Sequence, residues 1–194
     1  MYEIPTTVRI NGEEYAIRND GDYRVILDCF LALEDDTLDS KERLLAALII
    51  FYEDFNSIQD VYSFEYLEEA VTGMYNFFNC GQEPSENNSV NYKLIDWEKD
   101  SQLICSAINK VANKEIRAEK YLHWWTFMGY YAAIGESALT TIIHIRDKIV
   151  RQERLDKSER KYKQRNPQYF DWNHSSVEQR EADRLVTELW NSGV

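Results

Sequence analysis

The sequence is poor in what most chemistries require. Seven glycines and three prolines in 194 residues are too few for a turn-rich all-β protein and point to long helices. There is no phosphate-cradling glycine loop, no nucleophile elbow and no HExxH motif. With three histidines in all, metal and triad chemistries have few donors to draw on. The cysteines Cys29, Cys80 and Cys105 are odd in number, not closely paired, and lack zinc spacing. Cys29 and Cys105 sit in apolar helical patterns, where a reduced thiol behaves as a small hydrophobe. Met1-Tyr2-Glu3-Ile4-Pro5 is neither a signal peptide nor an anchor, and no apolar run reaches the roughly 18 residues of a membrane span. These absences lead us to expect a cytoplasmic protein with no membrane, cofactor or metal.

Apolar residues at 44% and aromatics at 13% supply enough material for a packed core. The net charge is −12, and it is unevenly spread. Residues 1–80 hold 17 acidic and 5 basic side chains, whereas residues 151–166 hold seven basic and three acidic. An acidic body repels nucleic acid and keeps a free protein dispersed.

Along the chain, Val8 and Ile10 alternate with polar neighbours, Asn11-Gly12 is a type I′ turn signal, and Tyr15 and Ile17 resume the alternation. Asn19-Asp20-Gly21-Asp22 offers caps for a helix whose Tyr23, Ile26, Leu27, Phe30 and Leu33 share one face. Asp39 and Glu42 form a capping box for a helix from Lys41 to about Phe55. A further helix over Phe64–Asn79 carries the stripe Leu67, Ala70, Val71, Met74, Phe77 and Phe78, with Gly81 closing it in the left-handed conformation. Residues 82–91 read as an exposed loop. Asp96 is expected to cap a helix beginning at Trp97 and burying Ile104, Ala107, Ile108 and Val111. Leu139, Ile142, Ile143, Ile149 and Val150 mark another helix. From Arg151 a nearly apolar-free helix runs to the break at Asn166-Pro167, and Ser175 with Glu178 restarts a helix carrying Ala182, Leu185, Val186, Leu189 and Trp190.

The stretch Tyr121–Gly135, YLHWWTFMGYYAAIG, is apolar in nearly every helical direction, as expected of a buried central helix. The expected fold is therefore mainly α: a single helical domain of about six to eight helices around this Trp-rich helix. A small N-terminal β-hairpin lies in the core domain of residues 1–150, and residues 151–194 form a charged helical extension. His123 is open to two readings, a base or ligand, or a core histidine hydrogen-bonded to a neighbour; without a spaced partner the second is favoured. Trp124 and Trp125 point about 100° apart on a helix, which favours packing against two different neighbours over a stacking platform. Glu68-Glu69 and Asp35-Asp36 read as solvated faces and helix-end charges. No constellation supports catalysis, and we expect a non-enzyme.

The basic segment is the main candidate for partner binding. Arg151, Arg154, Lys157, Arg160, Lys161, Lys163 and Arg165 can neutralise phosphates, with Tyr162, Tyr169, Phe170 and Trp172 available for stacking. The same segment fits attraction to acidic protein, including the acidic half of a second copy. The embedded Glu153, Asp156 and Glu159 favour this second reading by diluting the positive field.

Asp22-Tyr23-Arg24, Phe77-Phe78-Asn79-Cys80-Gly81, Asp96-Trp97-Glu98-Lys99-Asp100, Ile145-Arg146 and above all Leu122-His123-Trp124-Trp125-Thr126-Phe127 together resemble a family of tailed-phage and prophage proteins. It is the family named for gene product fifteen, from viruses of low-GC Gram-positive bacteria. The resemblance covers most of residues 15–150; the approach between Ala112 and Lys120 departs from it, and little of it extends past residue 151. It implies a non-catalytic role as a tail assembly chaperone, binding tape measure protein and major tail protein while the tail is built. Self-association is also open. On that reading the partner-binding candidates are Arg151, Arg154, Arg160, Lys161, Lys163, Arg165, Tyr169 and Trp172, together with Leu185, Leu189 and Trp190 on the apolar strip Val177–Trp190.

Overall fold

A computed structural model describes residues 3–58, 63–82 and 93–172. Among these residues the chain forms seven α-helices and one two-stranded antiparallel sheet, a mainly α fold with an N-terminal hairpin. They fall into two compact units, one of residues 3–82 with 121–127, the other of residues 93–120 and 128–172. The loop after Gln82 and the amphipathic segment beginning at Ser175 lie outside the described residues. No described helix is long and apolar enough to cross a membrane.

In the first unit β1 (Thr7–Ile10) and β2 (Glu13–Ala16) pair with Ile10 opposite Glu13. Asn11 and Gly12 both adopt positive φ, 47° and 84°, which is what a type I′ hairpin requires. Asp22 caps α1 (Tyr23–Leu33) by accepting the Arg24 N–H at 3.0 Å. Of the expected face, Tyr23 and Ile26 are buried and Leu27, Phe30 and Leu33 half-buried; Val25 and Cys29 join the core beside them. The capping box of α2 (Ser40–Phe51) forms as read, with Asp39 accepting from Lys41 and Glu42 and Glu42 reaching back to the Asp39 N–H.

This helix does not run to Phe55. Tyr52 turns extended (ψ 139°) and makes a bridge with Ile17. The Arg18 guanidinium donates to the carbonyls of Ile49, Ile50, Tyr52 and Glu53. A cation on those otherwise orphaned carbonyls is a favourable helix end. In α3 (Phe64–Phe78) all six residues of the predicted stripe are buried, and Gly81 takes the left-handed conformation at φ 70°, preceded by Cys80 at φ 55°.

The Trp-rich helix is shorter and less enclosed than the sequence suggests. Residues 121–123 precede it, α5 spans Trp124–Ala132, and full burial is confined to Leu122, His123, Trp124 and Phe127. Tyr121, Gly129, Ala132 and Ala133 are exposed and Tyr130 and Tyr131 half-buried.

In the second unit α4 is Ser101–Ala112, starting four residues after the expected Trp97. Asp96 instead accepts the Lys99 N–H in a preceding turn, and Asp100 occupies the cap position without capping. Ile104, Ala107 and Ile108 are buried as expected, and Val111 is half-buried. In α6 (Ala138–Val150) the buried residues are Leu139, Ile142, Ile145 and Arg146, so Ile143, Ile149 and Val150 are only half-covered. α7 (Lys157–Arg165) begins with a capping box of Asp156 and Glu159, buries no residue, and ends at Asn166.

Gly73 explains why a glycine interrupts α3. A Cβ there would collide with Val8 Cγ1 of β1 and come within 3.3 Å of the Tyr52 hydroxyl. Glycine to alanine in a helix interior ordinarily gains about 1 kcal/mol. Here the β-branched Val8 is fixed on a strand and cannot swing away. We expect Gly73→Ala to destabilise by about 1–3 kcal/mol, read from urea midpoints, with Val8→Ala in the same chain recovering part of the loss.

Candidate functional site

The sequence blocks that are far apart along the chain converge into two constellations, one in each unit. In the first, residues 121–123 lie against the start of α1. Tyr23 N–H donates to the Leu122 carbonyl and Leu122 N–H to Asp22 Oδ2, both at 2.9 Å. Asp22 is buried, and its carboxylate also receives Arg24 Nη1 at 3.1 Å on each oxygen. One carboxylate thus caps a helix, holds a remote backbone segment and takes a cation.

His123 follows, 2% exposed. Trp125 N–H donates to its Nδ1 at 3.0 Å, so that nitrogen holds a lone pair and the proton sits on Nε2, which donates to the Pro5 carbonyl at 2.9 Å. Burial pushes the imidazole below its ordinary pKa, outweighing the opposing pull of the Pro5 carbonyl and of Asp20 and Asp22. With both nitrogens engaged, His123 is a core histidine that joins the N-terminal segment to the helix start.

The adjacent indoles share one support. Trp124 Nε1 donates to the Phe78 carbonyl at 2.9 Å and Trp125 Nε1 to the Phe77 carbonyl at 3.0 Å. These are successive carbonyls at the end of α3, where intrahelical partners run out. The expectation of two different neighbours holds for the rings. Trp124 stacks on Phe127 and meets Phe30 edge-on, whereas Trp125 lies tilted against Phe77. It fails for the indole N–H groups, which serve the same helix end.

The second constellation centres on Arg146, fully buried on α6 with Asp100 equally buried opposite. Nη1 and Nη2 form a fork on the two Asp100 oxygens. Nη1 also donates to the Leu94 carbonyl at 2.9 Å, and Nε and Nη2 both donate to the Tyr169 carbonyl at 2.9 and 2.6 Å. All five guanidinium protons are thereby used. Trp172 covers the guanidinium face at 4.7 Å, and its own N–H donates to the Lys93 carbonyl. Sequence reading identified these residues separately but missed their pairing; an arginine amid the apolar positions of α6 was the available signal.

The partner-binding candidates are dispersed. Trp172 is buried and Tyr169 half-buried, its carbonyl held by Arg146, so neither ring stands out for stacking on bases. Arg151 pairs with Asp147 at 2.7 Å. Arg154, Arg160, Lys161 and Arg165 are exposed, and Lys163 is half-buried. Leu185, Leu189 and Trp190 lie outside the described residues. His144 lies 3.3 Å from Glu159. Among the described residues no three His, Cys, Asp or Glu side chains group as metal ligands.

Three variants test these constellations. Asp100→Asn leaves the buried guanidinium without its counter-charge and is expected to destabilise by about 3–5 kcal/mol. Arg146→Lys, with only three donors and no planar fork, should also lose stability in chemical denaturation. For His123 the unfolded chain takes up its proton first on acidification, since the folded value is the lower one. Its contribution is complete above the ordinary histidine range near pH 6.5 and drains away as pH falls from there toward the folded value. His123→Gln should therefore lower stability at pH 8 yet flatten the decline between pH 7 and pH 5. One site supplies at most about 1.4 kcal/mol per pH unit. An unchanged slope in paired urea titrations would remove His123 as its source.

A family model described as Bacteriophage Gp15 protein matches residues 1–171, which takes in the hairpin, the Asp22–Leu122–His123 contacts, the Arg146–Asp100 pair and α7 and extends beyond the 15–150 stretch on which the resemblance rests. No curated protein and no solved structure gives a match. Apart from Trp172, which follows the end of the match by one position, the residues that form the two buried constellations lie within the matched span, and the chain belongs to the bacteriophage Gp15 family.

Proposed function

We propose that this phage protein is a tail assembly chaperone, a non-enzyme that binds tape measure protein, tail-tube protein or both while the tail is being built. The observation that carries the reading is the inward commitment of the most distinctive block. His123 uses both nitrogens and Trp124 and Trp125 their N–H groups on neighbouring backbone. Residues of the kind that often perform chemistry are here fastening the fold, which leaves the outer surfaces to act. The tape measure and tail-tube assignments come from the family resemblance alone.

The periodicity of Val177–Trp190 suits the partner-binding role. Leu185, Leu189 and Trp190 recur at helical spacing and match the pattern by which an amphipathic helix engages another helix or a groove. A long helical partner with an apolar stripe would be shielded by such a strip until tube subunits replace it. The acidic balance of residues 1–80 would keep the complex from collapsing onto its neighbours. The competing use of the basic segment on nucleic acid is weakened by the engagement of Trp172 under Arg146.

Co-expression with the tape measure protein of the same phage is the direct test. The expected result is a larger soluble fraction of tape measure protein and its co-purification with this chain. Leu185→Asp with Leu189→Asp should reduce recovery roughly tenfold or more, as loss of two apolar anchors implies. Insoluble tape measure protein and no co-purification with the unmodified chain would overturn the proposal. So would stoichiometric recovery of this chain from purified particles by mass spectrometry.

A further inference from the structure

Within α7 and its cap, the two acidic side chains Asp156 and Glu159 are occupied away from the outer face of the helix. Asp156 caps α7, accepting from Ser158 and Glu159 N–H groups. Glu159 is turned onto α6, where its carboxylate takes Lys148 Nζ at 2.6 Å and lies 3.3 Å from His144 Nε2. At 100° per residue, Glu159, Tyr162 and Lys163 share the docked side of α7, and all three are half-buried. Lys157, Arg160, Lys161 and Arg165 occupy an arc of about 140° on the opposite side. All four are exposed, and none has an ion-pair partner among the described residues. The helix thus places four cations on its outer face and turns Glu159 onto the docked side.

The first unit supplies a surface of complementary charge. Residues 1–80 carry 17 acidic against 5 basic side chains. Of those five cations, Arg9, Arg24 and Arg43 are paired with carboxylates and Arg18 lies on the carbonyls ending α2. Asp28, Glu53, Glu65 and Glu68 are among the exposed acids. We propose that the Lys157–Arg165 face of one copy binds the acidic first unit of a second copy. Electrostatic complementarity of this kind steers encounter and fixes which surfaces meet. The chain's overall charge of −12 repels polynucleotide while leaving a local cationic face for an acidic protein surface. This inference stands independently of the chaperone reading, because it concerns copies of this chain alone.

Sedimentation velocity of the full chain at 50 and 500 mM sodium chloride tests it. Association is expected at the lower salt and should weaken at the higher, where screening shortens to a few ångströms. A variant carrying Lys157→Glu, Arg160→Glu, Lys161→Glu and Arg165→Glu should self-associate roughly tenfold or more weakly. An unchanged circular-dichroism melt would show that it folds, and the corresponding four glutamine substitutions give a second, milder variant. The reversed chain keeps its acidic unit, so when tagged it should capture unmodified chain but not itself. A monomer at every concentration in low salt would overturn the proposal. So would undiminished self-association of the reversed chain, its failure to capture the unmodified one, or salt-sensitive binding of a DNA duplex by α7 in place of self-association.

Discussion

A polar group taken out of water has to find its hydrogen bonds inside the protein, or the fold loses several kcal/mol for each one left over. Both units are arranged by that requirement. In the first, Asp22 receives the cap of α1, the Leu122 amide and the Arg24 guanidinium. In the second, Arg146 reaches Asp100 and the carbonyls of Leu94 and Tyr169. Apolar stripes bring these segments together without direction, whereas the polar contacts specify which backbone atom meets which side chain.

Local features were legible wherever local chemistry decides the outcome. The Asn11-Gly12 turn, the Asp39–Glu42 box and the α3 stripe from Leu67 to Phe78 all depend on neighbours within one or two turns, and each has the form its residues suggest. Reading fails where a distant partner intervenes. Asp100 lies 46 residues from Arg146, and because its carboxylate is drawn there, Asp96 forms a turn with Lys99 and α4 starts later than its apolar pattern implies. Likewise α2 stops when Tyr52 pairs with Ile17 and Arg18 covers the freed carbonyls. Propensity in these places is overruled by tertiary hydrogen bonding.

The Trp-rich block shows the same limit on composition. A run of aromatic residues reads as a fully buried helix, yet α5 is fully enclosed only at its first turn. What composition could not convey is that the two indoles have polar work as well as apolar burial. Each N–H completes a carbonyl at the end of α3, so their positions are dictated by that helix terminus as much as by the core. Tryptophan suits the task because it combines a large apolar surface with one directional donor. The candidate site was therefore recognisable as a block of residues, while its role as a fastening became apparent only from the partners.

The Arg146–Asp100 pair raises a sharper question, because buried ion pairs are often no better than well-packed apolar residues of similar size. The answer lies in the backbone around it. An apolar pair would fill the volume but would withdraw the donors from the Leu94 and Tyr169 carbonyls and the acceptor from the Asp96 N–H, which bonds Asp100 Oδ2 at 3.0 Å. It would also remove the cation beneath Trp172, whose docking is continued by its N–H on Lys93 and by Lys99 on the Asp171 carbonyl. The relevant comparison is thus between the ion pair with its three backbone partners and an apolar pair that leaves those partners unsatisfied. On that comparison the charged arrangement is favoured, and its effect is to hold residues 169–172 against residues 93–100 by bonds that a shift in register would break.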